Sequence, residues 1–191
     1  MFPAAGLLDA PCATAGYVRG LAPRVLMLGA LLLAASSAAA ASPASAARCP
    51  DAAHHAFDFW LGDWDVFEGA SQKPVARVAV TRILGGCAVQ EEYSDTTGHR
   101  GRSFSIYDAS RGVWHQTWVT NRGELLVIEG QFHGGLMELT GADRTADGME
   151  RRVRGTWQAV DGGVREIAVR STDGDQSWTP WFDLLFKAHS R

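Results

Sequence analysis

The sequence predicts an all-β protein: an antiparallel, up-and-down closed barrel of about ten strands, opened by a short helical turn. Three observations predict it. From Trp64 onward almost every segment alternates apolar and polar residues, the period of a half-buried strand. Clusters of Gly, Asp, Asn and Ser separate the segments at spacings of 8–14 residues, which is hairpin turn chemistry. No stretch longer than one turn carries a convincing helical period. Sequential hairpins favour a meander, and closing it removes the exposed edges that an open ten-stranded sheet would carry.

The elements follow in order. Phe57, Trp60 and Leu61 stand at i, i+3 and i+4, so one short helical turn is expected to plug one end of the barrel. Strands are predicted over 65–68, over 75–84 up to Gly85-Gly86, and over 87–94. Next come 102–108, 113–120, and 124–132 running into His133-Gly134-Gly135. A short strand at 136–141 precedes 149–160, which ends at Asp161-Gly162-Gly163. The last two are 164–172, ending at Asp173-Gly174-Asp175, and 178–187. The Asp173 cluster lacks the spacing of a calcium loop and reads as a turn.

The 191 residues divide unequally. Residues 1–47 hold sixteen alanines, one acid (Asp9) and two basic residues (Arg19 and Arg24). Basic residues, the apolar run 25–33 and then small residues up to Ala47 form the order of a secretory signal, with Ala44-Ser45-Ala46 or Ser45-Ala46-Ala47 at the cleavage site. The apolar run is about nine residues long, short of the roughly 20 needed to span a bilayer. Residues 48–191 are therefore expected to be one exported barrel domain, periplasmic or secreted, with no stable membrane span after processing. This part carries 20 acids against 16 Lys and Arg, a net −4, and all seven tryptophans and six histidines. Scattered charge of that sign excludes a nucleic-acid binder, which needs a basic stripe.

Export leaves two cysteines, Cys49 and Cys87, which in an oxidising compartment read as one disulfide. It would close a loop of roughly 39 residues and stabilise by about 4 kcal/mol at most. Cys49, His54, His55 and Cys87 match no standard zinc spacing, so no metal is expected.

Gly62-Asp63-Trp64 stands at the start of the first strand, just after the helical turn. It resembles the Gly-x-Trp signature of the calycins, the lipocalin-like barrels. The longer string Phe57-Asp58-Phe59-Trp60-Leu61-Gly62-Asp63-Trp64-Asp65-Val66 is far more specific. It resembles the opening of a bacterial family of secreted, calycin-related proteins of unknown function. Further strings resemble that family in order: Ile83 to Cys87, Gln90 to Tyr93, Tyr107-Asp108, Trp114 to Trp118, and Leu126 to Gly130. The resemblance covers residues 50–187 and implies a β-barrel with a central cavity; it implies no reaction. Nitrobindin-like haem barrels are more distant relatives. Haem would need an inward axial histidine, and His115 is the one histidine well inside a strand, so no cofactor is expected.

Alternation places Trp114, Gln116 and Trp118 on one face of their strand, and His115, Thr117 and Val119 on the other. Two indoles flanking an amide make a small-molecule wall; the rival reading is plain core. Were they outside, two indoles would stand bare on one strand, a patch soluble proteins seldom leave. On the preceding strand either Ser103, Ser105 and Tyr107 face inward, or Phe104 and Ile106 do. Glu91 shares a face with Cys87, Val89 and Tyr93, so it points inward with the apolar set. An ion pair with a neighbouring Arg is its expected fate, as it is for Glu129 between Val127 and Gln131. Without such a partner, an inward carboxylate near Tyr107 could act as an acid or base.

These residues favour a monomeric or dimeric barrel that binds a small apolar or amphipathic ligand through Trp114, Gln116, Trp118, Ser103, Ser105, Tyr107 and Glu91. The rivals are a barrel enzyme, an isomerase or hydrolase using an inward carboxylate and a tyrosine, and a structural envelope protein with a filled barrel. No standard catalytic motif is present to assign a reaction.

Overall fold

Alternating sequence becomes an inside and an outside once the strands close on themselves. A computed structural model describes residues 49–190 apart from 70, 72 and 146; the leader expected at 1–47 lies outside the described residues. Ten strands form one closed antiparallel barrel: β1 Gly62–Glu68, β2 Ala76–Ile83, β3 Ala88–Asp95, β4 Arg100–Asp108 and β5 Val113–Thr120, then β6 Leu125–His133, β7 Leu136–Arg144, β8 Glu150–Val160, β9 Gly163–Ser171 and β10 Thr179–Ala188. Each strand pairs with its chain neighbours, and β1 pairs with β10 to close the ring. Register slips between Pro180 and Phe182 in β10, a bulge that leaves Trp181 out of the ladder.

Two strands depart most from the sequence expectation, each by three residues at one end. β1 starts at Gly62 because Gly62 and Asp63 already pair with Val80 and Ala79. β7 runs on to Arg144 because its far half pairs with β8 as far as Glu150. Polarity fades at neither point, so alternation alone misplaced both ends.

Gly62 explains the Gly-x-Trp signature physically. Its φ is +155°, and a Cβ there would stand 2.8 Å from the Trp64 ring, below any real contact. Trp64 turns back under the chain instead, and its Nε1 donates to the Trp60 carbonyl at 2.9 Å.

Two 3-10 turns, Ala52–His55 and Asp58–Trp60, precede β1. Asp51 caps the first by accepting from the His54 amide at 3.1 Å. The turns carry Phe57 and Trp60 into one end of the barrel. Phe57 stacks on Trp60 at 5.0 Å and meets Trp114 and Trp157 edge-on at 5.7 and 5.6 Å. Trp60 also meets Trp157 and Phe186. Each such ring removes roughly 200 Å² from water, about 5 kcal/mol at ~25 cal/mol per Å². The plug is also held covalently and by charge. Cys49 and Cys87 are disulfide-bonded, with Cα atoms 5.2 Å apart. Arg82, from the end of β2, donates to Asp58 and to the His54 carbonyl. At the opposite end, where the β1–β2, β3–β4 and β5–β6 loops lie, no helical turn covers the barrel among the described residues.

Candidate functional site

The closed end of the lumen is solid aromatic core. Toward the open end the inward positions change character. β3 contributes Glu91 and Tyr93, β4 Ser103 and Ser105, β5 Gln116 and Trp118, β6 Leu126, β9 Glu166 and β10 Leu184, each set by two-residue alternation. Tyr93, Trp118, Leu126, Glu166 and Leu184 keep partial exposure although they face inward. On the inner face of a closed barrel that surface opens to the lumen. Trp118 fits because Gly101 faces it: a Cβ at Gly101 would lie 2.2 Å from the indole.

The hydroxyls of β4 thus face inward, leaving Phe104 and Ile106 on the outside at 45% and 40% exposure. Ser103 Oγ donates to Glu91 Oε2 at 2.8 Å, and Gln116 Nε2 donates to Ser105 Oγ at 3.0 Å. The serines and the amide are almost wholly buried. Cross-strand pairing produces both contacts, since Glu91 stands opposite Ser103 and Ser105 opposite Gln116.

Glu91 departs from its expected fate. It is 7% exposed, and no Arg or Lys forms an ion pair with it among the described residues. Burial pushes its carboxyl up to about 7, and the Ser103 hydrogen bond offsets only part of that rise. The arginines nearest in the pairing, on neighbouring strands, point outward: Arg77 reaches Asp65 and Arg102 reaches Glu92. Glu129 does find its cation, but on the outer face, where Arg111 holds it at 2.7 and 3.0 Å. His115 joins Glu129 at 2.8 Å, so the one histidine inside a strand faces away from the lumen.

A second inward carboxylate, Glu166, stands opposite Trp157 and Leu184 in the ladder. Its remaining surface opens to the lumen, and burial raises its pKa well above the ordinary carboxylate value; the charge of Glu91 raises it further. Tyr93 is pushed up to about 12 by burial and by the carboxylates around it, among them Glu91 and Glu166. The indole N–H of Trp157, a side chain 3% exposed, is directed at Glu166 from just outside hydrogen-bond geometry and offsets part of the rise at Glu166. Arg165, next to Glu166 on β9, points outward to Asp183, whereas Arg170 shares the inward face of β9 and keeps its Nε buried without a partner among the described residues. It bonds Asp143 at 2.7 Å, which also holds Arg151, and its guanidinium lies 3.2 Å over the Trp181 ring.

The seven residues expected to line a pocket divide between the two ends. Glu91, Ser103, Ser105, Gln116 and Trp118 come together toward the open side. Trp114 is packed under Phe57, and Tyr107 lies beside it against His54 at 5.2 Å. The tyrosine that feels the Glu91 charge is Tyr93; Tyr107 packs at the plug end against His54 and Trp114. Glu166 belongs with the open-side group, and Trp157, packed on the plug, stands opposite it in the ladder; sequence reasoning missed both as site residues. The signal was Val164-x-Glu166-x-Ala168, but Ile167 and Val169 on the opposite face are equally apolar, so inward and outward could not be told apart.

A groove of about 530 Å³ runs across β1 to β5, with Asp63, Glu92 and Tyr93 among its lining; neither Glu91 nor Glu166 lines it. A smaller crevice of about 370 Å³ lies beside the plug, between Ala53, Tyr107, Trp114 and Phe132. Asp173 accepts from Ser171 and Ser177 and serves its turn. No family model and no curated protein matches this chain.

Proposed function

We propose that this is an exported barrel that binds a small amphipathic molecule in the open half of its lumen, as a distant relative of the calycin-related secreted proteins it resembles. One observation carries the reading: buried polar groups with unmet hydrogen-bonding capacity line a partly exposed lumen whose walls are otherwise aromatic and aliphatic. Ligand sites are apolar cavities with a few placed polar groups, whereas a barrel filled for stability has no use for a buried carboxylate without a cation. Export is supported by the disulfide, which persists in oxidising compartments, and by the leader composition of residues 1–47. No helix among the described residues is long and apolar enough to cross a membrane.

A second reading, an enzyme, is favoured by Glu91 alone. A carboxyl titrating at about 7 is poised for general acid–base work near neutral pH. Glu91→Gln separates the two. It leaves ligand affinity within a few fold but abolishes turnover if Glu91 moves a proton.

The binding reading is tested by native mass spectrometry of protein from its own source and by tryptophan fluorescence against amphiphiles. Trp118→Ala is expected to weaken binding by about 2 kcal/mol, roughly thirtyfold, while Trp114→Ala lowers stability instead. Absence of any copurifying molecule and of any spectral response, with Trp118→Ala as destabilising as Trp114→Ala, identifies a filled structural barrel.

A further inference from the structure

The outer wall of β4 to β6 carries an apolar patch. Phe104 and Ile106 on β4, Val119 on β5, and Leu125 and Val127 on β6 each keep between 39% and 60% of their surface in water. The ladder register fixes how they lie. Across the three strands the outward rows read Arg102–Val119–Leu125, Phe104–Thr117–Val127 and Ile106–His115–Glu129. The apolar side chains are therefore contiguous, and the charges stand at two opposite corners. Both charges are held in place: Glu92 pairs with Arg102 at 2.9 Å, and Arg111 with Glu129 at 2.7 Å. A contiguous exposed apolar patch with a polar rim marks an interaction surface.

We infer that this face docks on the same face of a second copy of this chain, about a two-fold axis along the Ile106–Thr117–Leu125 diagonal. A two-fold contact must be complementary to itself, and the rows select the axis. An axis along β5 sets Arg102 on Leu125 and Ile106 on Glu129. An axis across the strands sets Arg102 on Ile106 and Leu125 on Glu129. The Arg102–Glu129 diagonal sets each charge on its own like. The Ile106–Leu125 diagonal instead sets Arg102 on Glu129 of the second copy, twice over, and Val119 on Val127. Ile106 and Leu125 then meet their own counterparts, and Phe104 meets His115. Charges run Glu92, Arg102, Glu129, Arg111 across each edge of the contact, alternating in sign. The acids of the rim oppose an anionic bilayer, whereas paired signs suit a copy of the same face. Three strands of eight or nine residues cover roughly 14 Å by 30 Å, about 400 Å² before side-chain relief. Standard interfaces take about 800 Å² from each partner, so this is a small contact with a dissociation constant of about 1–100 μM. The inference stands apart from the lumen reading.

Sedimentation velocity of the exported protein, from about 1 to about 200 μM, tests it. The parent is expected to pass reversibly from monomer to dimer over that range. V127K changes an exposed side chain and is expected to weaken the dimer about tenfold or more. R102E and E129R are each expected to weaken it about threefold or more. In R102E/E129R two acids face two bases across the contact, and the dimer is expected to be tighter than in either single variant. A parent that is monomeric at about 200 μM overturns the inference, as does a dimer that V127K leaves unchanged. A double variant no tighter than the single ones overturns it as well. A monomeric parent that sediments with phosphatidylcholine vesicles, an ability lost in V127K, overturns it in favour of a lipid surface.

Discussion

The two ends of this barrel are built from the same strands and the same alternation, yet they answer different demands. At the closed end the inward positions are Trp114, Trp157, Val164 and Phe186, all under 4% exposed, and Phe57 and Trp60 fill the space between them. Toward the open end the same strands supply Gln116, Glu166 and Leu184, and β3 adds Glu91 and Tyr93. Apolar rings pack without needing partners, so the closed end can be dry and dense. Polar groups turned inward need partners, and here Ser103 donates to Glu91, the Trp157 N–H faces Glu166, and Arg151 and Arg170 share Asp143. Stability is concentrated where the plug sits, and polar groups are concentrated at the end that no described helical turn covers. A fold can hold such a pair of acids because the other half of its core supplies the free energy that they cost.

The largest expected effect sharpens that division. Trp60→Ala removes a ring packed between Phe57, Trp157 and Phe186 and is expected to cost about 3–5 kcal/mol. Trp118→Ala, at a position that keeps partial exposure, is expected to cost less than half as much. Urea unfolding of both variants checks this. Equal losses would mean that the open half is core as well.

Next in size is the covalent tie. Cys49 and Cys87 are 38 residues apart, and closing a loop of that length stabilises by about 4 kcal/mol in the chain-entropy model. C49S/C87S is expected to lower the free energy of unfolding, read by urea, by up to that amount while leaving the pH dependence due to Glu91 in place, since the bond holds the plug and not the carboxylates. Intact mass of the non-reduced protein should fall two hydrogens below the reduced form.

How much of this was legible in the sequence depends on what each residue's neighbours could reveal. The barrel, its hairpins and the disulfide were readable, because alternation, turn residues and a pair of cysteines are local or countable signals. The Gln116–Ser105 contact was readable too, as a buried amide needing a hydroxyl across the strand pair. Glu91 was placed inward correctly but given the wrong partner. Its register neighbours include Arg102 one position along from Ser103, and only the pleat decides that this side chain points out. Glu166 was not found, because both faces of β9 are apolar enough to be the inside. Nor could alternation show that Trp114 and Trp118, on one face of one strand, belong to different ends. What separates them is the plug, a contact between segments more than fifty residues apart in the chain.

The smallest effects set Glu91 against Glu129, two glutamates in apolar strands, and their pH dependences should have opposite signs. The folded carboxyl of Glu91 lies near 7 against an ordinary 4.5. The folded state therefore holds the proton more tightly than the unfolded chain does. Its penalty is absent below about 4.5, grows as pH rises from there to about 7, and then levels off near 3 kcal/mol. Glu91→Gln is accordingly expected to stabilise the protein at pH 8 and to change little at pH 4. Loss of its charge also relieves Glu166. Glu129 is lowered to about 2, by Arg111 first and His115 second, so its contribution is present above about 4.5 and is lost as pH falls toward 2. Because that pair is exposed to solvent, screening keeps the effect small, and Glu129→Gln should shift the melting temperature slightly downward at pH 7 and not at pH 2. Melting curves of both variants across pH 3–8 check the pair. A Glu91→Gln protein less stable than the parent at pH 8 would mean that Glu91 has a cationic partner after all, and the contrast between the inner and the outer glutamate would disappear.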